Sequence, residues 1–431
     1  MIGQTVSHVG SAETFGERGM EKNVSPMSAL RRTASMLFIS LLVVFTLFFV
    51  PQTLHPQSIS HTIVRGRVVD DSTRAPLPLT NVFVSNSTIG AAADSGGRFV
   101  LRDVQLGNQQ IVASLVGYVA QTKMLHLIDT AIYEVDFHLR QQPVQVGGVD
   151  IEAKEPKEWK EHLQRFLKEF LGSTSNADHC KVLNPEVLDF AIGGSGMFTA
   201  TARGPLEIQN LALGYHVKCF LDYYTSSEKP LKTAPSQSRE PRPTPKPTPS
   251  DVWSPRTYVP PVTPVEPLAP IQTQTTVELL CRTRFTPLES RDEKELARWK
   301  ENRKRTYLGS LRHFLTSLAR NNSVKQGYEV YEIYAGRNSD GSSLRWKVDA
   351  GTLFTRGELG FERTLSFTAP LQVVYDGGNE TLTSSLLLSR PSVIFYVNGM
   401  LADPLSITTY GYWSSQRVAD MLPTDYAPED K

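Results

Sequence analysis

The chain is poor in the residues and motifs that mark most catalytic and nucleic-acid-binding proteins. Only three of its 431 residues are cysteines and nine are histidines, and neither set has the spacing of a zinc site. The net charge of +1 gives no general attraction to nucleic acid or to an anionic surface. Glycine-rich phosphate loops, a nucleophile-elbow serine and nucleic-acid motifs are missing as well. We therefore expect no metal, no cofactor and no nucleic-acid partner.

The few cysteines leave two interpretations open. Cys180, Cys219 and Cys281 are the only ones in the sequence. In an oxidising compartment two of them can form a disulfide and leave one thiol over. Free cysteine is also among the most buried residue types, so three buried apolar thiols fit the sequence equally well.

The N-terminus carries an export signal. Arg31 and Arg32 precede the apolar run MLFISLLVVFTLFFV at 36–50, which is shorter than the roughly 20 residues of a membrane-spanning helix and fits a signal-peptide core. Small residues just before His61 suit cleavage there, and the lack of a cysteine after the run disfavours a lipid anchor. An uncleaved membrane anchor is the alternative. We expect residues 1–60 to be a tail and signal peptide, and the remainder to be exported to the periplasm, the outer membrane or the cell surface.

Residues 61–153 have the pattern of a β-sandwich. Short runs that alternate apolar and polar residues are separated by turn residues at intervals of about 8–12 residues. The predicted strands are Thr62–Asp70, Asn81–Ser85, Arg98–Arg102, Gln109–Ala120, Lys123–Leu127, Ile132–Leu139 and Val144–Glu152.

One short stretch of this region, AAADSGGRFVLRDVQLG, raises the question of whether its aspartate is catalytic. Asp94 stands beside Gly96 and Gly97 between two predicted strands. Aspartate accepts hydrogen bonds from nearby backbone amides and glycine accepts a positive φ, which is the chemistry of a sheet corner. No histidine, glutamate or second carboxylate has a productive spacing to it. We interpret Asp94, both glycines and the later Gly117 as structural turn residues.

The segment GRVVDDSTRAPLPLTNVFVSNSTIGAAADSGGRFVLRDVQLGNQQIVASLVGY resembles the carboxypeptidase-regulatory-like domain. The likeness rests on Gly66-Arg67-Val68, the Pro76-Leu77 turn, Asn81-Val82, Asp94 with Gly97 and Phe99, and Gly117-Tyr118. The resemblance implies a transthyretin-like (prealbumin-like) β-sandwich, grouped with carbohydrate-binding-like folds and used as an accessory module on envelope proteins of Bacteroidetes-like bacteria. Ala93 replaces the family's usual threonine, which removes a side-chain hydrogen bond but not the turn.

From residue 155 the pattern becomes a mixture of helices and strands. A first helix is predicted in PKEWKEHLQRFLKEFLG, which ends at Gly172 and has an apolar face of Trp159, Leu163, Phe166, Leu167 and Phe170. The spacing of apolar residues predicts a second, long helix over Glu289–Arg320, and Asn398-Gly399 signals a hairpin. We predict an α+β domain with antiparallel strands and two main helices.

A proline-rich stretch interrupts this second domain. Nearly half of the prolines lie at 229–275, and such a sequence packs neither as helix nor as sheet. We favour an insertion over a linker, because neither flanking half is large enough to bury its strands alone. The expected boundaries are 61–153 for the sandwich, 155–228 and 276–423 for the two parts of the α+β domain, 229–275 for the insertion and 424–431 for a tail.

The C-terminal part also resembles known sequences. The stretches WKEHLQRFLKEFLG, PLEIQNLALGYHVKCFL and DPLSITTYGYWSSQRVADMLP are similar to those of Bacteroidetes-like envelope proteins, which join the regulatory-like sandwich to an uncharacterised α+β domain. This resemblance implies an architecture and no activity.

The candidate binding residues combine aromatic and charged side chains near the C-terminus. Exposed aromatic rings can stack on sugars, and Arg–Asp pairs can bind hydroxyls or carboxylates. Against this, tyrosine and tryptophan are highly buried on average, so the aromatic residues also suit a core, and an i,i+3 charge pair suits a helix surface. A lone histidine makes a poor catalyst and suits a core or a cap. The candidates are Tyr410, Tyr412, Trp413, Arg417, Asp420, Arg312 and His313.

These observations favour a non-catalytic protein. We expect an exported cell-envelope protein that binds or scaffolds a glycan, a peptide or another envelope protein, with membrane association only through an uncleaved N-terminal segment. The alternative is a periplasmic or surface hydrolase with its active site in the C-terminal domain, since the paired carboxylates of a glycosidase need no local motif.

Overall fold

The structure is a computed structural model that describes residues 61–142, 157–194, 196–230, 273–337, 343–378 and 380–428. The predicted signal segment, the predicted strand Val144–Glu152 and most of the proline-rich stretch lie outside the described residues. All described residues belong to one compact unit.

Within residues 61–142, eight strands form the N-terminal sandwich: β1 (His61–Asp70), β2 (Asn81–Val84), β3 (Gly90–Ala92), β4 (Arg98–Gln105), β5 (Gly107–Ser114), β6 (Gln121–Leu127), β7 (Ile132–Glu134) and β8 (Phe137–Leu139). One sheet has the order β4-β1-β7, with β8 also on β1, and the other has the order β3-β2-β5-β6. In β4, Phe99 and Leu101 are buried while Arg98 and Arg102 are exposed, so the alternation in the sequence matches the two faces of the strand. The transthyretin-like sandwich is as predicted.

The Asp94 turn joins β3 to β4. Its Oδ1 accepts hydrogen bonds from the backbone N–H groups of Gly96 and Arg98, both at 2.8 Å. Gly97 has a φ of +73°, and a Cβ there would lie 2.4 Å from the carbonyl oxygen of Val68. Asp94 therefore holds a tight corner that leaves no room for a side chain at position 97.

Asp70 closes the turn after β1. Its Oδ1 accepts from the backbone N–H groups of Ser72 and Thr73 at 2.9 and 2.8 Å, and its Oδ2 accepts from the Tyr118 hydroxyl at 3.1 Å. Hydrogen bonding, first of all from the Thr73 backbone, lowers the pKa of Asp70 to about 2.

We expect this carboxylate to make the stability of the fold pH-dependent. Because the folded-state pKa lies below the ordinary value of 3.8, the ionised form stabilises the fold above about pH 4, and this stabilisation is lost as the pH falls toward 2. The midpoint temperature of thermal unfolding should therefore fall more steeply over this pH interval for the wild type than for Asp70→Asn. Asp71→Asn is the matched control and should follow the wild type. Parallel curves for the wild type and Asp70→Asn would show that Asp70 has no such role.

Six strands and one helix form the middle of the molecule: α1 (Lys157–Leu171), β9 (Cys180–Val182), β10 (Leu188–Ile192), β11 (Phe198–Ala202), β12 (Leu206–Asn210), β13 (Tyr215–Pro230) and β14 (Thr273–Pro287). The sheet has the order β10-β11-β13-β12-β9, and β14 pairs with β13. The predicted first helix is confirmed, since Phe166 and Phe170 are fully buried in the core against this sheet.

Strands β13 and β14 form one long antiparallel hairpin. Their register runs from Tyr215 opposite Pro287 to Pro230 opposite Thr273. Residues 231–272 therefore connect two neighbouring strands of one sheet. The strands also reach slightly into the range 229–275 that the sequence assigned to the proline-rich stretch.

The prediction of one long helix over Glu289–Arg320 is wrong, because the structure has two helices there. Helix α2 covers Glu293–Tyr307 and α3 covers Leu311–Ala319. Gly309 separates them with a φ of +75°, and the Ser310 side chain accepts from the His313 N–H as the N-cap of α3. Glycine after a helix and serine before one are the usual stop and start signals.

The remaining strands form two further antiparallel sheets. Their elements are β15 (Tyr328–Arg337), β16 (Ser343–Val348), β17 (Phe354–Arg356), β18 (Glu362–Leu365), β19 (Leu371–Asp376), β20 (Thr381–Leu388), β21 (Val393–Tyr396), β22 (Ile407–Gly411) and the short helix α4 (Tyr412–Ser415). The five-stranded sheet has the order β16-β15-β19-β20-β22, and the three-stranded sheet has the order β17-β18-β21. The expected hairpin at Asn398-Gly399 follows β21, where Gly399 has a φ of +79°.

Candidate functional site

A cleft of about 790 Å³ lies between the six-stranded and the five-stranded sheet. One wall is residues 275–281 of β14, and the other is residues 407–410 of β22 with Leu387 and Leu388 of β20. Five of the seven candidate residues line this cleft: Arg312, Tyr410, Trp413, Arg417 and Asp420. Tyr412 and His313 are not part of its lining.

The two walls are the outer edges of two sheets. β22 is the last strand of its sheet, and β14 lies outside β13. The C-terminal half of β14 is covered by the sandwich, since Asn86 N–H donates to Thr283 O and Phe285 N–H donates to Ser87 O. Within the described ranges, no strand pairs with the outer edge of residues 275–281. Among the described residues, the cleft therefore borders backbone that is paired with a neighbouring strand on one side only.

Arg417 faces the cleft from the segment after α4. The side chain is half-buried, and burial lowers the pKa of its guanidinium. The nearby Glu169 already accepts from Arg165 at 3.0 Å and from the Tyr224 hydroxyl at 2.8 Å. In the part of the chain that the structure describes, the Arg417 guanidinium has no hydrogen-bond or ion-pair partner. Such a partly desolvated cation is a ready site for an anionic group.

Asp420 lines the same cleft but is held by protein donors. Its carboxylate accepts from the Thr174 hydroxyl at 2.8 Å and from Asn176 Nδ2 at 2.8 Å, and also from the backbone N–H of Arg417 at 3.4 Å. Burial raises the pKa of Asp420, and these hydrogen bonds oppose the shift. Arg417 and Asp420 are therefore not the pair on a helix surface that the sequence allowed, but belong to a 3₁₀ turn.

Arg312 also lines the cleft and anchors the C-terminal segment. Its guanidinium donates to the backbone carbonyl oxygens of Asn398 at 3.1 Å, Pro423 at 2.7 Å and Tyr426 at 2.9 Å, and to that of Thr424. Residues 424–426, expected to begin a tail, are therefore fixed against α3. The donors of Arg312 are used inside the protein.

His313 points into the core. It is only 5 % exposed, and its ring lies 5.2 Å from the rings of Tyr307 and Tyr328. Nδ1 accepts from the Gly309 N–H at 3.2 Å, which assigns the ring proton to Nε2 for the bond to Gln326 Oε1 at 3.1 Å. Burial lowers the pKa of His313, so the imidazole is neutral near pH 7 and serves the core.

The three candidate aromatic residues have different positions. Trp413 is buried, and its Nε1 donates to Gly309 O at 2.7 Å. The Tyr412 hydroxyl accepts a hydrogen bond from Gln416 Nε2 at 3.3 Å, and burial raises the pKa of Tyr412 to about 12. Tyr410 lies on the edge strand β22 and lines the cleft. Of the three, Tyr410 is the side chain best placed to contact a ligand.

The three cysteines are free thiols. Cys219 is buried on β13, and its thiol hydrogen-bonds with that of Cys281, which raises its pKa. Burial raises the pKa of Cys180 to about 12, and the charge of Asp420 adds to this effect. In this structure the cysteines are thus buried or partly buried thiols.

The described residues contain no group of three histidine, cysteine, aspartate or glutamate side chains that could hold a metal ion. None of the helices in the described ranges is long and apolar enough to cross a membrane.

The walls of the cleft were not predicted from the sequence. Neither residues 275–281 nor the apolar lining of Leu387, Leu388 and Leu405 was among the candidate binding residues. Neither set carries a local signal, because the cleft forms only when two sheets that are distant in the sequence approach each other.

The sandwich geometry of β1–β8 agrees with the comparison to known families. Residues 64–150 match the family model of the CarboxypepD_reg-like domain. The resemblance drawn from the sequence is therefore confirmed for the N-terminal part of the chain. The matched residues contribute little to the cleft, because Asn86 is the only described residue between 64 and 150 in its lining.

Comparisons with whole proteins give distant similarities only. No curated protein sequence matches the chain. A cohesin–X-dockerin complex from Acetivibrio cellulolyticus is 23% identical over 26% of this chain and 76% of its own, with a TM-score of 0.18. A candidate carbohydrate binding protein from Bacteroides uniformis is 8% identical over 37% and 60%, with a TM-score of 0.17. A Bacteroides fragilis protein of unknown function is 10% identical over 81% and 95%, with a TM-score of 0.16. These TM-scores carry no argument about function.

Proposed function

We propose that this protein is an exported, non-catalytic component of the cell envelope that binds a partner in its C-terminal cleft. The observation that carries the proposal is the cleft itself, in which an apolar lining, an edge tyrosine and a guanidinium with no hydrogen-bond partner among the described residues meet between two sheet edges. Apolar concave sites with a few convergent polar groups are the usual form of a binding site. The CarboxypepD_reg-like domain fits an accessory, non-catalytic role, and the apolar segment at 36–50 supports export.

The carboxylates of the cleft favour binding over hydrolysis. Among the described residues, Glu278 and Asp420 are the acidic side chains in its lining. Asp420 already accepts three hydrogen bonds from protein donors, which hold its oxygens in place. A general acid or base needs an oxygen within reach of the substrate proton, and this arrangement commits the carboxylate to the fold.

Affinity capture from the solubilised envelope tests this proposal. The full chain is compared with Leu405→Asp, which places a charge in the cleft lining, and with Leu296→Asp on α2 as the matched control. The two leucines are 37% and 40% exposed, so neither change should disturb the core. We expect the wild type and Leu296→Asp to retain the same ligand and Leu405→Asp to lose at least about 90% of it.

Two results would contradict the proposal. Equal retention by Leu405→Asp would remove the cleft as the binding site. Recovery of the protein in the cytoplasmic fraction of the producing cells would contradict export.

A further inference from the structure

We infer that the cleft binds an extended peptide, which adds a strand to the free edge of β14 and places a carboxylate against Arg417. This inference rests on the proposed function, since it names the class of ligand that the cleft takes. Three features carry it: the backbone of β14, the charge of Arg417 and the aliphatic lining.

The backbone of β14 offers hydrogen-bonding groups to the cleft. Successive residues of a strand point their N–H and C=O groups to opposite sides. Thr283 and Phe285 point theirs away from β13, because both bond to the sandwich. The same alternation turns the groups of Leu279 and Val277 toward the cleft. Strand addition is a common mode of peptide binding to such an edge, with the main chain supplying the hydrogen bonds.

Arg417 supplies the charge complementarity. Its position is fixed because its backbone N–H donates to Asp420, which is itself held by Thr174 and Asn176. A second arginine in the lining, Arg312, donates hydrogen bonds to four backbone carbonyl groups. Of the described residues that line the cleft, Arg417 is therefore the cation that can pair with a ligand carboxylate, and a planar guanidinium can hold both oxygens of that group.

The aliphatic lining favours a peptide over a glycan. Leucine and methionine side chains surround the cleft: Leu387, Leu388, Met400, Leu401, Leu405, Met421 and Leu422. Sugars are held best by exposed aromatic faces, and among the candidate residues only Tyr410 offers such a face to the cleft, because Trp413 is 5% exposed. Alternate side chains of an added strand would instead contact these aliphatic residues. The proline-rich stretch of this chain is a poor occupant, since proline has no N–H to donate to a strand edge.

A displayed library of random nine-residue peptides, selected on the immobilised full chain, tests the inference. We expect enriched peptides to carry aspartate, glutamate or a terminal carboxylate and to lack interior proline. A synthetic copy of an enriched peptide should bind Arg417→Gln at least about tenfold more weakly than it binds the wild type. Arg417→Lys should restore part of the affinity. Arg203→Gln, which removes an exposed arginine paired with Asp189, is the matched control and should not change it.

Methylation of single peptide amides tests strand addition directly. Because alternate amides face the edge of β14, methylation should weaken binding about tenfold at every second position and little at the positions between. A flat methylation profile, enriched peptides without a carboxylate, or equal binding to Arg417→Gln would each overturn the inference.

The inference and the proposed function can fail separately. If no peptide is enriched but an envelope ligand is still captured and lost in Leu405→Asp, the inference is wrong and the proposed function stands. A glycan in that capture would identify the occupant as a sugar. If capture is also insensitive to Leu405→Asp, both are wrong.

Discussion

Replacing Trp413 by alanine is expected to lower the free energy of unfolding by about 3–5 kcal/mol, as is usual for large aromatic residues in a core. The side chain is 5% exposed, and its ring lies 5.4 Å from that of Phe314. Its Nε1 donates to Gly309 O at the break between α2 and α3. Truncation leaves a cavity and an unsatisfied carbonyl in the same place. Chemical denaturation of the full chain measures the loss.

Trp346→Ala is the matched control for this change. Trp346 lies on β16 and is 62% exposed, so its truncation should alter the free energy of unfolding by no more than about 0.5 kcal/mol. Similar costs for the two variants would show that Trp413 does not belong to the core. If the expected difference is found, loss of binding in Trp413→Ala reports unfolding, and Arg417 and Leu405 are the better probes of the cleft.

Replacing Arg312 by methionine should lower the free energy of unfolding by about 2–4 kcal/mol. Hydrogen bonds to a charged group are among the stronger ones, and their loss leaves carbonyl groups unsatisfied. Methionine keeps much of the aliphatic stem but donates no hydrogen bond to Asn398, Pro423, Thr424 or Tyr426. We expect residues 423–426 to detach first, seen as faster hydrogen exchange in that segment than in the sandwich.

Arg417→Gln is the control for Arg312→Met, and we do not expect it to lower the stability of the fold. Its guanidinium is partly desolvated and has no hydrogen-bond or ion-pair partner among the described residues, so removing the charge should leave the unfolding midpoint unchanged or raise it. Residues that serve binding rather than stability often show this behaviour. A loss of stability as large as that of Arg312→Met would mean that Arg417 holds the fold together.

The sandwich was predictable because its signals are local. Alternating residues such as Arg98, Phe99 and Leu101 follow the two faces of a strand, and the Asp94 corner has a characteristic composition. Helix α1 was predictable for the same reason, since its apolar residues recur at helical spacing.

The split between α2 and α3 was missed although a signal was present. The apolar spacing continues through both helices, which suggested one long helix, but Gly309-Ser310 combines a helix stop with a helix start. A Cβ at Gly309 would lie 2.7 Å from Leu382 Cδ1, so packing against β20 fixes the break. Local capping residues should have outweighed the periodicity here.

The candidate site was predictable in part. Residue types pointed to the group around Trp413, and the structure gathers five of its seven members at one cleft. The sequence could not separate Arg417, whose guanidinium has no hydrogen-bond partner among the described residues, from Arg312, which holds the fold through four carbonyl groups. That distinction depends on carbonyl groups of residues 398 and 423–426, which only the tertiary structure brings together.

Hydrogen exchange of the full chain, with and without the captured ligand, tests whether the C-terminal cleft is the binding site. We expect slower exchange of amides in residues 275–281 and 407–413 when the ligand is bound, with little change in the sandwich strands β1–β8. Protection confined to the sandwich, with the cleft amides unchanged, would contradict binding at the C-terminal cleft.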